Sequence, residues 1–133
     1  MIAYLDANIL IYLVENHPVW APRAQARLRH LRAAGDRIAS GDASRLECLV
    51  GPILLGDPTI LADYLAFFRA PDLTMLPMTA AVCERAALIR ASFNIKPLDA
   101  LHLATAVEHG CGLFLTNDAS LKRCTLIHVE VLT

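Results

Sequence analysis

Short apolar runs of strand length recur along this chain, and most hand over within a few residues to a helical period with a carboxylate at or near the join. Asp6 follows Met1-Ile2-Ala3-Tyr4-Leu5, Glu47 lies just beyond Arg37-Ile38-Ala39-Ser40, and Asp118 follows Leu113-Phe114-Leu115-Thr116-Asn117. Asp99 opens a further helical run, Asp99-Ala100-Leu101-His102-Leu103-Ala104-Thr105-Ala106. Strands that alternate with helices are joined most readily as βαβ units, which build a mostly parallel sheet with helices on both faces. The expectation is a three-layer α/β/α domain spanning residues 1–133. Ligands of such sheets sit outside the carboxyl ends of the strands, so acids placed there from distant parts of the chain meet on one rim.

The local signals predict the elements one by one. Residues 2–5 read as a buried strand, followed by a helix over Asn8 to Glu15 that His17-Pro18 breaks. Pro22 opens a helix over Arg23 to Ala34, closed by Gly35, and Arg37 to Ser40 is a second strand. Ser44 starts a helix expected to stop near Val50, before Gly51-Pro52, and Asp57-Pro58 starts another that runs to Arg69. Leu73 to Met78 is a strand, Thr79 caps a helix over Ala80 to Ser92, and Pro97 precedes a helix over Leu98 to His109. The chain then predicts a strand at Leu113 to Thr116, a helical turn at Asp118 to Leu121 and a last strand at Leu126 to Val131.

Taken singly, each acid has a purely local explanation. An Asp at a helix start bonds free backbone N–H groups and complements the helix dipole. Ser44-x-x-Glu47 has the spacing of a capping box. Taken together, they supply oxygen donors without His or Cys, and several close carboxylates repel one another unless a divalent cation neutralises them. That donor set suits Mg²⁺ or Mn²⁺ rather than zinc. A metal so held lowers the pKa of bound water and offsets charge on phosphate oxygens, the chemistry of phosphodiester hydrolysis. Asn8, Thr116 and Asn117 are candidates to orient the acids or a phosphate, with turn chemistry as the alternative.

Composition narrows the setting. Apolar residues make up 56% of the 133 positions and charged residues 19%, which describes a globular chain. With a net charge of −1 no global field recruits a polyanion, so nucleic acid needs a local basic patch. Cys48, Cys83, Cys111 and Cys124 lack metal-ligand spacing and read as reduced thiols. No basic residue precedes Arg23 and the uncharged runs are short, so a cytoplasmic protein without membrane spans is expected.

Four segments carry a resemblance to a known family: Tyr4-Leu5-Asp6-Ala7-Asn8-Ile9-Leu10-Ile11-Tyr12, Ser44-Arg45-Leu46-Glu47-Cys48-Leu49-Val50, Asp99 to Ala106, and Leu115-Thr116-Asn117-Asp118. In order and spacing they resemble the four acidic motifs of PIN domains, and more narrowly those of VapC toxins from bacterial toxin–antitoxin pairs. The resemblance implies a Rossmann-like α/β/α fold and a Mg²⁺- or Mn²⁺-dependent endoribonuclease that leaves a 5′-phosphate and a 3′-hydroxyl. It implies Asp6 and Asp99 as principal metal ligands, Glu47 and Asp118 as completing the acidic pocket, and a cognate antitoxin that inserts a segment near the site. One departure is Leu98, where many relatives place Pro before the acid.

Arg45 and Lys96 lie close to the proposed acids and are the better candidates for phosphate contact, while Arg23, Arg27, Arg29, His30 and Arg32 fit the solvated face of a helix. His102, one turn after Asp99, is placed to bring its imidazole toward the site, but reads rather as a half-buried helix histidine with a hydrogen-bond partner. Trp20, Tyr12 and Tyr64 suit core or dimer contacts better than base stacking. Apolar residues at Ile9 to Val14 and Ile53 to Leu55 suggest a homodimer and a groove for an apolar antitoxin segment. Two rivals remain: a phosphoacceptor domain, which lacks its second acid after the first strand, and a non-catalytic binding module that acts through a protein partner.

Overall fold

The computed structural model describes residues 1–133. Five strands, β1 (Ile2–Leu5), β2 (Arg37–Gly41), β3 (Leu73–Leu76), β4 (Leu113–Thr116) and β5 (Val129–Val131), form one sheet in the order β3-β2-β1-β4-β5, with every pairing parallel. Six helices cover it: α1 (Ala7–Val14), α2 (Trp20–Ala33), α3 (Ala43–Leu55), α4 (Pro58–Phe68), α5 (Ala80–Phe93) and α6 (Pro97–Glu108). This is the expected three-layer α/β/α architecture with the strand order of doubly wound sheets. The order reverses between β1 and β4, and a crevice opens at such a switch point.

The period-2 alternation of each strand divides the core between the two faces. Ala3, Leu5, Ile38, Leu113 and Leu115 pack under α1, α2 and α4, whereas Tyr4, Ala39 and Phe114 pack under α5 and α6. Tyr4 stacks on Phe114 with ring centroids 5.2 Å apart. Each fully buried Leu, Ile or Phe contributes roughly 1.5–3 kcal/mol of transfer free energy. The sheet is thereby fixed rigidly enough to serve as a platform for its own upper rim.

Besides β3, which ends at Leu76 rather than Met78, three boundaries depart from expectation. α2 begins at Trp20 rather than at Pro22, because His17 Nδ1 accepts the free backbone N–H groups of Val19 and Trp20 at 3.2 and 3.1 Å. α3 does not stop at Val50 but runs through Pro52 to Leu55, and ends at Gly56 in the left-handed conformation, φ 62°. A proline normally strains the residue before it through a clash with that residue's Cβ, and Gly51 has none to clash. Pro52 is itself buried, so its packing offsets the hydrogen bond its ring cannot donate. The last strand spans only Val129–Val131, and Leu126 is left half-exposed in a turn before it.

Candidate active site

Asp6 stands where β1 gives way to α1, one step beyond the buried strand and only 4% exposed. Its Oδ1 accepts the Ala7 N–H at 2.8 Å, so it does cap the helix. Its Oδ2 accepts the Thr116 hydroxyl at 2.7 Å and the Asn8 side-chain amide at 3.4 Å. Thr116, fully buried at the end of β4, in turn accepts the backbone N–H of Asp118 at 3.0 Å. Asn8 Oδ1 accepts the Asn117 N–H at 3.2 Å. Asn8, Thr116 and Asn117 thus form one hydrogen-bonded collar across the β1–β4 switch point, and Asp6 is held in it with both oxygens oriented.

Glu47 reaches the same place from α3. The capping box suggested by Ser44-x-x-Glu47 does not form. Asp42 occupies the cap position, the Ser44 hydroxyl pairs with that of Ser40 at 2.8 Å, and Glu47 turns inward to His102 Nε2 at 3.1 Å. His102 is fully buried on α6, and its Nδ1 meets the Tyr4 hydroxyl at 2.7 Å. With Tyr4 donating to Nδ1, the neutral ring donates from Nε2 to the Glu47 carboxylate. Gly41 makes room for this arrangement, because a Cβ there would lie 2.4 Å from the Tyr4 hydroxyl. Ligand atoms of Asp6, Glu47 and His102 all lie within 4.8 Å of one another.

Asp99, in the first turn of α6, makes no side-chain hydrogen bond of its own, and its environment is electrostatic. Burial pushes its carboxyl above the usual range, and the charges of Asp6, Asp118 and Glu47 push it further, against a smaller opposite pull from His102. The Asp6 carboxyl is likewise raised by burial, with Glu47 adding to the shift while His102, Thr116 and Ala7 oppose it. For His102, burial alone would lower the imidazole pKa, but the Glu47 hydrogen bond and the charges of Asp6, Glu47 and Asp99 win and raise it. Asp99 therefore feels the charge of the other three predicted acids, and Asp6 feels that of Glu47. Asp118 also keeps a local duty, its Oδ1 accepting the Ser120 N–H and hydroxyl at 3.0 and 2.7 Å.

Both His102 ring nitrogens are engaged, by Tyr4 and by Glu47, so oxygen is the donor this pocket leaves free. Cys48 lies next to Glu47 in sequence, but burial, with the nearby carboxylates adding to it, pushes its thiol up to about 12, so no thiolate joins the set at neutral pH. Crowded carboxylates that resist ionisation match a hard divalent cation of the Mg²⁺ or Mn²⁺ type. Arg45 stands apart from the collar. Its Nε pairs with Asp42 at 2.9 Å and its guanidinium lies over the Phe68 ring. Lys96 is the residue before α6; its carbonyl accepts the Ala100 N–H at 2.9 Å, and its side chain caps no backbone group there.

Sequence reasoning anticipated a hydrogen-bonded but half-buried His102, where the ring is fully buried, and missed the Tyr4 hydroxyl behind it. A signal for Tyr4 existed: it stands two residues before Asp6, on the same strand parity, as His102 stands one turn after Asp99.

Among solved structures the fold recurs over whole chains. A VapBC2 toxin–antitoxin structure from Rickettsia felis, bound to a DNA fragment from its promoter, aligns with TM-score 0.80 at 20% identity and covers 100% of both chains. VapC20 of Mycobacterium tuberculosis, a toxin that cleaves the sarcin–ricin loop, gives 0.76 at 14% identity, covering 98% of this chain and 99% of that one. A toxin–antitoxin complex from Klebsiella pneumoniae gives 0.71 at 21% identity, covering 97% and 96%. At these identities the likeness is one of fold. Comparison with curated proteins gives no match. The PIN domain family model, in contrast, matches residues 3–125, from the first strand to just past the 3₁₀ turn at Ala119–Arg123. By that match, and by a sheet order that brings its acidic motifs onto one rim, the chain belongs to the PIN domain family.

Proposed function

We propose that this chain is an endoribonuclease toxin of the VapC type, dependent on Mg²⁺ or Mn²⁺, that works in the cytoplasm and is silenced by a cognate antitoxin. The observation that carries the reading is the approach of Asp6 and Glu47 to within 4.8 Å, beside an Asp99 carboxyl that burial and the charges of Asp6, Asp118 and Glu47 hold above its ordinary range. Acids arranged to repel one another destabilise a fold, and they are retained where function uses them.

In this reading the four carboxylates would hold the cation, which when bound would supply a Lewis acid for the phosphate oxygens and a water of lowered pKa. The chain's own contribution is orientation. Thr116 and the Ala7 N–H fix the two Asp6 oxygens. Tyr4 holds His102, which holds Glu47. Asn8 ties the β4 end to the α1 start through Asn117. Groups that orient metal-binding carboxylates in this way matter nearly as much as the ligands.

The toxin–antitoxin complexes among the structural relatives support an antitoxin partner. So does the outer face of α3, where Leu46, Val50, Ile53, Leu54 and Leu55 are exposed and the last two are 80% and 84% accessible. An apolar face of that kind fits an antitoxin segment or the second copy of a homodimer.

The deciding experiment compares wild-type protein with Asp6→Asn, whose side chain still caps a helix and so preserves the fold. RNA cleavage should fall by roughly 100-fold or more, and the rise in melting temperature on adding Mn²⁺ or Mg²⁺ should vanish. A folded Asp6→Asn protein that cuts RNA at the wild-type rate would end the proposal.

A further inference from the structure

The arginines of α2 do not share one fate. Arg27 is committed to Glu130 through two hydrogen bonds of 2.6 and 2.8 Å, and Arg32 pairs with Asp72 at 2.9 Å. Arg23 has no carboxylate partner, and its guanidinium lies over the Trp20 ring, 5.1 Å from the centroid. Trp20 stacks on Tyr12 with centroids 6.0 Å apart and planes inclined by 21°. The edge of His17 abuts Tyr12 from another side at 5.2 Å, while the ring's Nδ1 caps α2. The Tyr12 hydroxyl accepts the Asn117 amide at 2.7 Å, and Asn117 is bonded through Asn8 to Asp6. An unbroken file of contacts thus leads from the acidic pocket to a free cation at the surface.

We propose that Tyr12, Trp20 and Arg23 form a subsite that grips the RNA strand beside the acidic pocket. Arg23 contacts a backbone phosphate or caps an unpaired base, and Trp20 is the platform that holds it. The proposal rests on the nuclease reading and adds where the strand runs. Its logic is electrostatic and steric. The pocket itself is lined by acids and repels phosphate, so a bound strand needs a cation outside it. Guanidinium groups laid on aromatic rings are pre-oriented, and aromatic–cation ladders bind single strands without demanding a sequence. Trp20 and Tyr12 are half-buried and Arg23 is exposed, which leaves the outer end of the ladder open to a strand.

Trp20 is the single tryptophan of the chain, so its fluorescence reports on this subsite alone. The experiment titrates Asp99→Asn protein, chosen to stop cleavage, with a random-sequence single-stranded RNA 12-mer labelled for anisotropy, in buffer with Mg²⁺. Trp20 emission should shift in step with the anisotropy. Arg23→Ala in that background should raise Kd roughly 5- to 10-fold and lower the slope of log Kd against log salt by about 0.7, as for one lost phosphate contact on a single strand. Arg29→Ala, which removes the same charge from the same helix away from the ladder, should change Kd less than 2-fold, roughly.

The subsite is overturned if Trp20 emission stays constant while anisotropy saturates, or if the Arg23 and Arg29 variants weaken binding equally. It is overturned also if Arg23→Ala binds RNA normally and loses only its inhibition by a protein partner. None of these three results touches the nuclease assignment. Wild-type protein that shows the Trp20 response but cuts no RNA defeats that assignment and leaves the subsite standing.

Discussion

Asp6 illustrates how one side chain serves both the fold and a site. Its Oδ1 caps α1 through Ala7, while its Oδ2 sits in the collar with Thr116 and Asn8. Asp99 differs, having no hydrogen bond to compensate its charge and a carboxyl raised by burial and by three neighbouring acids. A carboxyl whose folded pKa is raised destabilises the fold once pH climbs past its unfolded value, about 4, and fully so above the folded one. Asp99→Asn should therefore raise the melting temperature by roughly 3 °C at pH 7 in metal-free buffer. The gain should shrink toward zero below about pH 4, where wild-type Asp99 is protonated as well. Thermal melts of the two proteins at both pH values provide the check, and a variant less stable than wild type at pH 7 contradicts this account.

At the scale of elements, the local signals were read well where they were strong. Asp57 and Thr79 cap α4 and α5 through the backbone N–H groups of Ile60 and Val82, as their types predict. They misled at Gly51-Pro52, which α3 passes through, and at Ser44-x-x-Glu47, which has capping-box spacing without being a capping box. α2 is joined to β5 by the forked Arg27–Glu130 pair, in which the hydrogen bond from Arg27 leads in holding the Glu130 carboxyl below its usual range. A depressed carboxyl stabilises the fold above its unfolded pKa, near 4.3, and loses that contribution as pH falls through the folded value. Both side chains are about a third exposed, so the pair contributes roughly 0.5–1 kcal/mol. Glu130→Gln should lose about that much in urea unfolding at pH 7 and converge with wild type in the acid limb.

For the molecule as a whole, the parallel sheet brings Asp6, Glu47 and Asp118 within electrostatic reach of Asp99, and other surfaces surround that rim. The α3 face is the most apolar of these, since Leu54 and Leu55 project almost fully into solvent. Replacing both with Lys removes apolar area that packs on nothing within the chain, so stability should change by less than about 0.5 kcal/mol. If the α3 face seats the second copy of a homodimer rather than an antitoxin segment, the same double substitution should convert a dimer to a monomer in sedimentation at micromolar protein. An unchanged mass assigns the face to another partner. No helix is long and apolar enough to cross a membrane, which agrees with the short uncharged runs of the sequence.

The alternation of strands and helices, and the positions of the acids at their joins, were legible from residues alone. Periodicity, caps and breakers are decided by neighbours a few positions apart. The His102 environment was legible in part, as a hydrogen-bonded helix histidine, though its full burial was not. Which groups meet in the pocket was a matter for tertiary structure. Tyr4 and His102 are separated by 98 positions, Glu47 and His102 by 55, and Asp6 and Thr116 by 110. No local preference carries such pairings. They follow from strand order and from the packing of α3 and α6 against the sheet, and these set the hydrogen bonds and charges that make four ordinary helix-start acids into one crowded site.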